Sequence, residues 1–414
     1  MDGSERQGPE MERSKVSRRA WGFVLVVFTA SRLFYLLAGA LLVNVMPIHP
    51  FQQSLDVPFG TLSIWAHFDG ERYVSIAESG YDQALSFSPR YLASPAFFPL
   101  YPLLMRSVAA LFGGPISPAG LSVYGVLLSL GALYFAFYFV YRIAEDGWGA
   151  RAAKGTVLAL AFFPTSFFFN AVYTESLFLA LSAGAVWAAR VRNNLLLACL
   201  LAGLAAATRN VGVLLLFPLV GEWSERAREY GWRAAYLGLV PAGLVAYMAY
   251  LWWHFGNPLL FYSEQAKWGR EAAGLNGLPD ALWLAYEDVL PLFDPANYEP
   301  FSFESLVYVL NAANHFYSLL FFLFALTVLG AGWRLLPADL WAYGVAILVV
   351  PVLFASATDP LMSTPRFVLV AFPLFIVLGG TVLKNRQVLA GWLLASAVAS
   401  LVFTGLFVGW HFVA

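Results

Sequence analysis

Apolar runs of about 18–20 residues recur along nearly the whole chain, broken by short polar islands. Each is long enough to cross a hydrocarbon layer of roughly 30 Å as a helix. The pattern predicts spans at about 21–46, 119–142, 155–172, 176–189, 195–208, 211–221, 234–253, 311–332, 339–356, 366–383 and 389–410, about 11 in all. Polar loops fall at about 49–96 and 254–310. The stretch FFPLYPLLMRSVAALFGG (97–114) is apolar but holds two prolines and Arg106, and it reads as short interfacial helices instead of a crossing. The fold class is therefore an all-α polytopic membrane protein, with residues 20–414 forming one multi-span domain. Residues 1–19 are polar, lack a periodic pattern, and read as a disordered tail.

Composition agrees. The 414 residues are 60% hydrophobic and 12% charged, too little polar surface to cover a water-soluble core. The first apolar stretch is too long for the core of a cleaved signal peptide. One cysteine, Cys199, excludes an intrachain disulfide and a cysteine-based metal site. A net charge of −1 and no basic stripe argue against a nucleic-acid partner. Neither a fixed-period repeat nor the paired broken spans of an inverted-repeat transporter are visible.

Charge sets the expected orientation. With the tail, which carries Arg6, Arg13, Lys15, Arg18 and Arg19, in the cytoplasm, sixteen of the 24 Lys and Arg fall inside and seven outside, as the positive-inside rule demands. Arg32 lies within the first span. Five polar islands then gather on the outer side: WAHFDGERYVSIAESGYD (65–82), YTE (173–175), Arg209–Asn210, SEQAKWGRE (263–271) and TDPLMSTPR (358–366). Ionisable groups at membrane depth are costly unless they find partners around a cavity, so these islands predict an outer-leaflet crevice holding carboxylates and arginines. Each residue also has a plain structural reading. Asp69 and Glu71 could be solvated loop charges, and Arg72 the partner of an acidic neighbour. His67 could be an interfacial histidine, Glu175 a helix N-terminal acid, and Arg366 an interfacial anchor.

Six blocks shift that balance. FDGERYVSIAESGYD, FFPLYPLL, FFPTSFFFNAVYTESLFLAL (162–181), AGLAAATRNVGVLL (202–215), SEQAKWGRE and PRFVLVAFPLF (365–375) together resemble, in order, the PIG-V-type mannosyltransferases, relatives of the second mannosyltransferase of glycosylphosphatidylinositol assembly. That family belongs to the GT-C superfamily of multi-span enzymes, whose active sites face outward and whose sugar comes from a polyprenyl-phosphate carrier. The resemblance implies mannose transfer from polyprenyl-phosphate mannose to a glycolipid or glycan acceptor. The site would lie on the extracytoplasmic face of a bacterial-type plasma membrane or an ER-like membrane. The acid of the first outer loop, Asp69, is the implied base. The sequence departs from the family at Phe68, where a tryptophan is usual, with Trp65 three residues earlier.

A lipid phosphate is already an adequate leaving group, so the chemistry needs one carboxylate to take the acceptor proton on the opposite face, which inverts the sugar carbon. Asp69 is the candidate base and Glu71 the reserve. Arginine suits the lipid phosphate through its fixed fork of N–H groups: Arg209 and Arg366 first, with Arg72 and Arg270 as alternates. His67, Tyr73, Glu175, Gln265 and Trp268 are the candidates for contact with sugar and acceptor, and the loop at 254–310 is expected to cap the crevice. No metal or other cofactor is expected, the lipid-linked donor being a substrate. The competing readings are a secondary transporter or lipid flippase, and a non-catalytic scaffold of a glycan-assembly complex.

Overall fold

The computed structural model describes residues 7–49, 62–81, 94–270, 277–298, 302–354, 356 and 358–413, with the side chains of 7–18 and of Trp268 outside the description. Regular structure among these residues is helical, apart from an isolated bridge between Arg270 and Ser356. Five helices are long and apolar enough to cross a membrane: Arg19–Leu42, Pro118–Ala161, Ala227–Phe255, Asn314–Ala331 and Arg386–Val408. Other predicted spans hold shorter helices, including Glu175–Arg190, Leu195–Thr208 and Ala338–Leu353. Leu100–Leu111, with 12 residues, rises about 18 Å at about 1.5 Å per residue, short of the hydrocarbon thickness.

Three boundaries differ from expectation. The first helix runs from Gln7 to Leu42, so residues 7–19 extend it where a disordered tail was expected. An apolar helix already formed supplies the nucleus from which Glu, Lys and Arg, good helix formers, propagate backward. Gly149, at φ 81°, kinks the Pro118–Ala161 helix between the two spans predicted at 119–142 and 155–172. The second of those spans is not a continuous helix: it stops at Ala161, and residues 162–174 follow an irregular path with one 3-10 turn, Ser166–Phe169. Much of the predicted loop at 49–96, namely 50–61 and 82–93, lies outside the described residues, as do 271–276 and 299–301 of the loop at 254–310. The described part of the second loop is mostly helical, with Gly277–Val289 and Phe303–Ala312 its longest pieces.

The kinked helix is the hub. It packs on Gln7–Leu42, Glu175–Arg190 and Phe372–Gly380. At the last contact a methyl group added at Gly379 would meet Thr156 Oγ1 at 2.3 Å, so glycine is what lets these backbones touch.

Irregular backbone survives in an apolar interior only if its polar groups are satisfied from elsewhere. Pro164 supplies no N–H, and side chains from three other segments meet several of the stretch's carbonyls. Arg32, fully enclosed, donates to Ala161 O (2.9 Å), Ser166 O (3.0 Å), Ser166 Oγ (3.1 Å) and Asn170 Oδ1 (2.8 Å). Tyr35 Oη donates to Phe163 O at 2.9 Å, Ser129 Oγ to Ala171 O at 2.8 Å, and Ser176 Oγ to Phe169 O at 2.9 Å. The charge inside the first span thus clamps the segment that leads to Glu175. Replacing Arg32 by Met strands two carbonyls and an amide oxygen in the interior. We expect a loss on the order of 3 kcal/mol, at about 1 kcal/mol or more for each buried group left unpaired. It should appear as a lowered thermal unfolding midpoint in detergent, and an unchanged midpoint contradicts the clamp.

Candidate active site

Asp69 opens the Asp69–Ser79 helix, where a carboxylate is favoured by the helix dipole. What precedes it is pinned on three sides. Trp65 is fully buried against the first helix, where a side chain at Gly39 would stand 2.6 Å from its indole, and Trp65 O accepts from Val172 N at 2.8 Å. His67 Nδ1 lies 3.2 Å from Phe407 O, and its ring stacks on Trp410 at 3.9 Å between centroids. Burial pushes His67 down to about 4, against the rise from that carbonyl contact, so the ring is neutral at pH 7. Phe68 packs against Phe407, Trp410 and Phe412 with φ at 54°, a conformation few non-glycine residues adopt. Tyr173 Oη closes the turn, accepting from Asp69 N (3.3 Å) and donating to His67 O (3.1 Å).

The five polar islands meet here. Arg366, from the Thr364–Val370 helix, donates Nη1 to Asp69 Oδ2 and Nη2 to Ser363 Oγ at 2.9 Å, with its Nε 4.0 Å from Glu175 Oε1. Arg209, between the Leu195–Thr208 helix and the 3-10 turn Asn210–Leu215, donates Nη1 to the same Glu175 Oε1 at 2.7 Å. Glu175, at the head of the Glu175–Arg190 helix, is 1% exposed, and its Oε2 has no hydrogen-bond partner among the described residues. Arg270 donates Nη2 to Met362 O (3.3 Å) and Ser363 Oγ (3.4 Å). Three guanidinium groups flank the Phe367 ring, at 5.0 Å for Arg209, 5.7 Å for Arg366 and 5.9 Å for Arg270. Thr165 Oγ1 donates to Pro365 O at 2.9 Å, tying the arginine loop to the irregular segment.

The electrostatics follow from this packing. Burial alone would push the Asp69 carboxyl up; Arg366, and at longer range Arg72 and Arg270, outweigh it and hold the group below its ordinary value. Arg270 is pushed down to about 10, by burial first and then by Arg366, with Arg209 adding to it, although Asp69 and Asp359 pull it the other way. Arg270 and Arg366 share one acceptor, Ser363 Oγ, and Ser363 is itself held at φ 70°. Two neighbouring cations, one bonded to neutral acceptors, make a favourable seat for an anion.

Other candidates separate. Arg72 is three residues from Asp69 on one helix face and lies over Phe97 at 5.7 Å. Tyr73 is buried against Phe97 and Tyr101 beneath the site. Glu71 is exposed and sits two positions from Asp69, on a different side of the helix, so it does not share the site as a reserve base. His67 and Trp65 are both buried in the packing next to Asp69. Gln265 is half-buried, and its carbonyl accepts from Arg270 N at 3.2 Å; the ring of Trp268 lies outside the described residues. Sequence reasoning assigned no role to Tyr173, Ser363 or Arg32. Tyr173 stood in a recognised polar island, and Arg32 was a charge within an apolar span, which is signal enough in a membrane protein. Ser363 likewise stood in one of the polar islands, at 358–366. Among the described residues no group of three or more His, Cys, Asp and Glu is arranged to hold a metal ion.

No protein-family model matches the chain, and no curated protein does. Among solved structures it is similar to ArnT from Cupriavidus metallidurans bound to undecaprenyl phosphate. The identity is 14%, the match covers 88% of this chain and 78% of that one, and the TM-score is 0.39.

Replacing Arg366 by Gln removes the nearest positive charge while leaving Asp69 enclosed, so the carboxyl should rise above its ordinary value. Asp69 now contributes stability above its unfolded-state value that is lost as pH falls; in the variant that contribution should vanish or reverse. Infrared titration of the protonated carboxyl band checks this, and an Asp69 that still titrates below the ordinary range in Arg366→Gln contradicts it.

Proposed function

We propose that this protein is an inverting membrane glycosyltransferase that takes a sugar, mannose, from a polyprenyl-phosphate carrier and transfers it to a glycolipid or glycan hydroxyl at the extracytoplasmic face. One observation carries the reading. An acid at a helix N-terminus, Asp69, is brought against Arg366, with Arg209, Arg270 and Glu175 around it, from segments up to 297 positions apart. The GT-C-type resemblance of the same blocks supports it.

Asp69 takes the proton of the acceptor hydroxyl as that oxygen bonds to the anomeric carbon. The bond from that carbon to the phosphate oxygen breaks on the opposite face, and the lipid phosphate leaves with the electron pair. Arg270 and Arg366 hold the phosphate. A bound phosphate competes with Asp69 for Arg366 and so releases the carboxylate to act as base. Glu175 keeps Arg209 and Arg366 in register. Metal independence is part of the proposal: permanently charged guanidinium groups supply the charge stabilisation.

Purified protein with labelled polyprenyl-phosphate mannose and a glycolipid acceptor tests the proposal. Asp69→Asn should still fold, at a stability lowered by the lost contact with Arg366, and lose about 10³-fold in turnover, within the range for a removed general base. Near wild-type turnover would remove Asp69 from the role. Arg270→Gln should raise KM for the donor about tenfold, the loss of one charge-assisted contact, and leave KM for the acceptor nearly unchanged. Equal losses for both substrates mean that Arg270 does not hold the phosphate.

A further inference from the structure

One of the contacts that tie the 277–298 part of the loop expected to cap the crevice to the arginine loop runs through a histidine, His315. Asp288, on the Gly277–Val289 helix, reaches across to the start of the Asn314–Ala331 helix. Its Oδ2 accepts from the backbone N–H of His315 (2.7 Å) and of Phe316 (3.1 Å), and its Oδ1 faces His315 Nδ1 at 3.2 Å. The other ring nitrogen, Nε2, faces Thr358 O at 3.2 Å. A carboxylate and a carbonyl are both acceptors, so the ring satisfies both only when it carries both protons. From Thr358 the connection continues: Thr358 N donates to Ser356 Oγ at 3.2 Å, Ser356 bridges to the Arg270 backbone, and Arg270 and Arg366 meet at Ser363. A small apolar cluster of Ala281, Phe322, Val352 and Leu361 also joins the Gly277–Val289 helix, the Asn314–Ala331 helix and the arginine loop.

We propose that His315 is a positioning residue which, as the doubly protonated imidazolium between Asp288 and Thr358, latches the 277–298 segment onto the loop that carries Arg366. The proposal rests on the glycosyltransferase reading for its consequence in catalysis, but the latch itself does not. The charged groups facing the ring are Asp288 from the cap and Asp359 from the arginine loop, with Arg270 behind Asp359; on its own helix the nearest titratable group is Tyr317, which donates to Phe412 O at 3.1 Å. Asp359 is 8% exposed, and its Oδ1 has no hydrogen-bond partner among the described residues, so a second carboxylate sits close without competing for a ring N–H. When pH rises and the ring loses one proton, a lone pair faces an acceptor and one of the two bonds is lost. The latch therefore holds at low pH and opens as pH rises, the sign expected of a histidine whose charged form is the bonded one.

Hydrogen exchange in residues 277–298 and 358–366 of the full chain tests this without any substrate. Wild type and His315→Gln are compared at pH 6 and pH 8.5, after correction for intrinsic exchange. Wild type should exchange at least threefold faster at the higher pH, and the variant equally fast at both, near the wild-type high-pH rate. Asp288→Asn keeps a carbonyl oxygen to cap the helix but removes the charge, and should shift the opening to lower pH. Protection in wild type that does not change with pH, or a variant that keeps the wild-type dependence, overturns the latch. In transfer assays wild-type kcat/KM should fall as the latch opens at alkaline pH, and His315→Gln should show no such fall and stay near the wild-type alkaline value at both pH values. A pH-dependent latch in a protein that transfers no sugar would leave the latch standing and remove the glycosyltransferase reading.

Discussion

The structure depends on a chain of charges that no single segment can satisfy. Asp69 is held by Arg366, Arg366 approaches Glu175, and Glu175 is bonded by Arg209, with side-chain exposures from 22% for Asp69 down to 1% for Glu175. Each of these groups enclosed alone would cost several kcal/mol in desolvation. Each becomes tolerable only when segments hundreds of residues apart have closed around it. Removing one partner therefore strands another, and assembling the site is part of assembling the fold.

Departure from regular helix concentrates around that chain. Phe68 and Ser363, on either side of the Asp69–Arg366 contact, both have positive φ, and residues 162–174 between two helices follow an irregular course. Such backbone persists where the surroundings over-determine it. Arg32, Tyr35, Ser129 and Ser176 do so from the back, and the aromatic cluster of Phe407, Trp410 and Phe412 does so from the side. The consequence is placement: Asp69 begins its helix with its carboxylate already on the arginines, which limits the reorganisation left for a bound substrate.

Much of this was legible in the chain before any coordinates. Polar residues that should not lie among apolar runs marked all five segments that meet, because charge at membrane depth has few innocent explanations. The Glu175–Arg190 and Leu195–Thr208 helices fell where the apolar pattern ended at charged or capping residues. Other features depend on contacts that hydropathy does not encode. Nothing in FFPTSFFFN says that its carbonyls will be met by an arginine from the first helix, so a continuous span was the natural reading. Glu71 and Asp69 look equivalent in sequence and are separated by helix periodicity once the helix start is known. His67 was weighed as a sugar contact because its partners, Phe407 and Trp410, lie near the other end of the chain.

A double-mutant cycle on Asp69 and Arg366 addresses the central claim most directly, because it reads the coupling of the two side chains independently of any substrate. Thermal unfolding in detergent of wild type, Asp69→Asn, Arg366→Gln and the double variant gives the interaction energy. A coupling of about 1–3 kcal/mol, the double variant being more stable than the sum of the two losses allows, is the predicted result for groups in direct contact. Additive losses would mean that the two residues do not touch, and the site built around them would not exist.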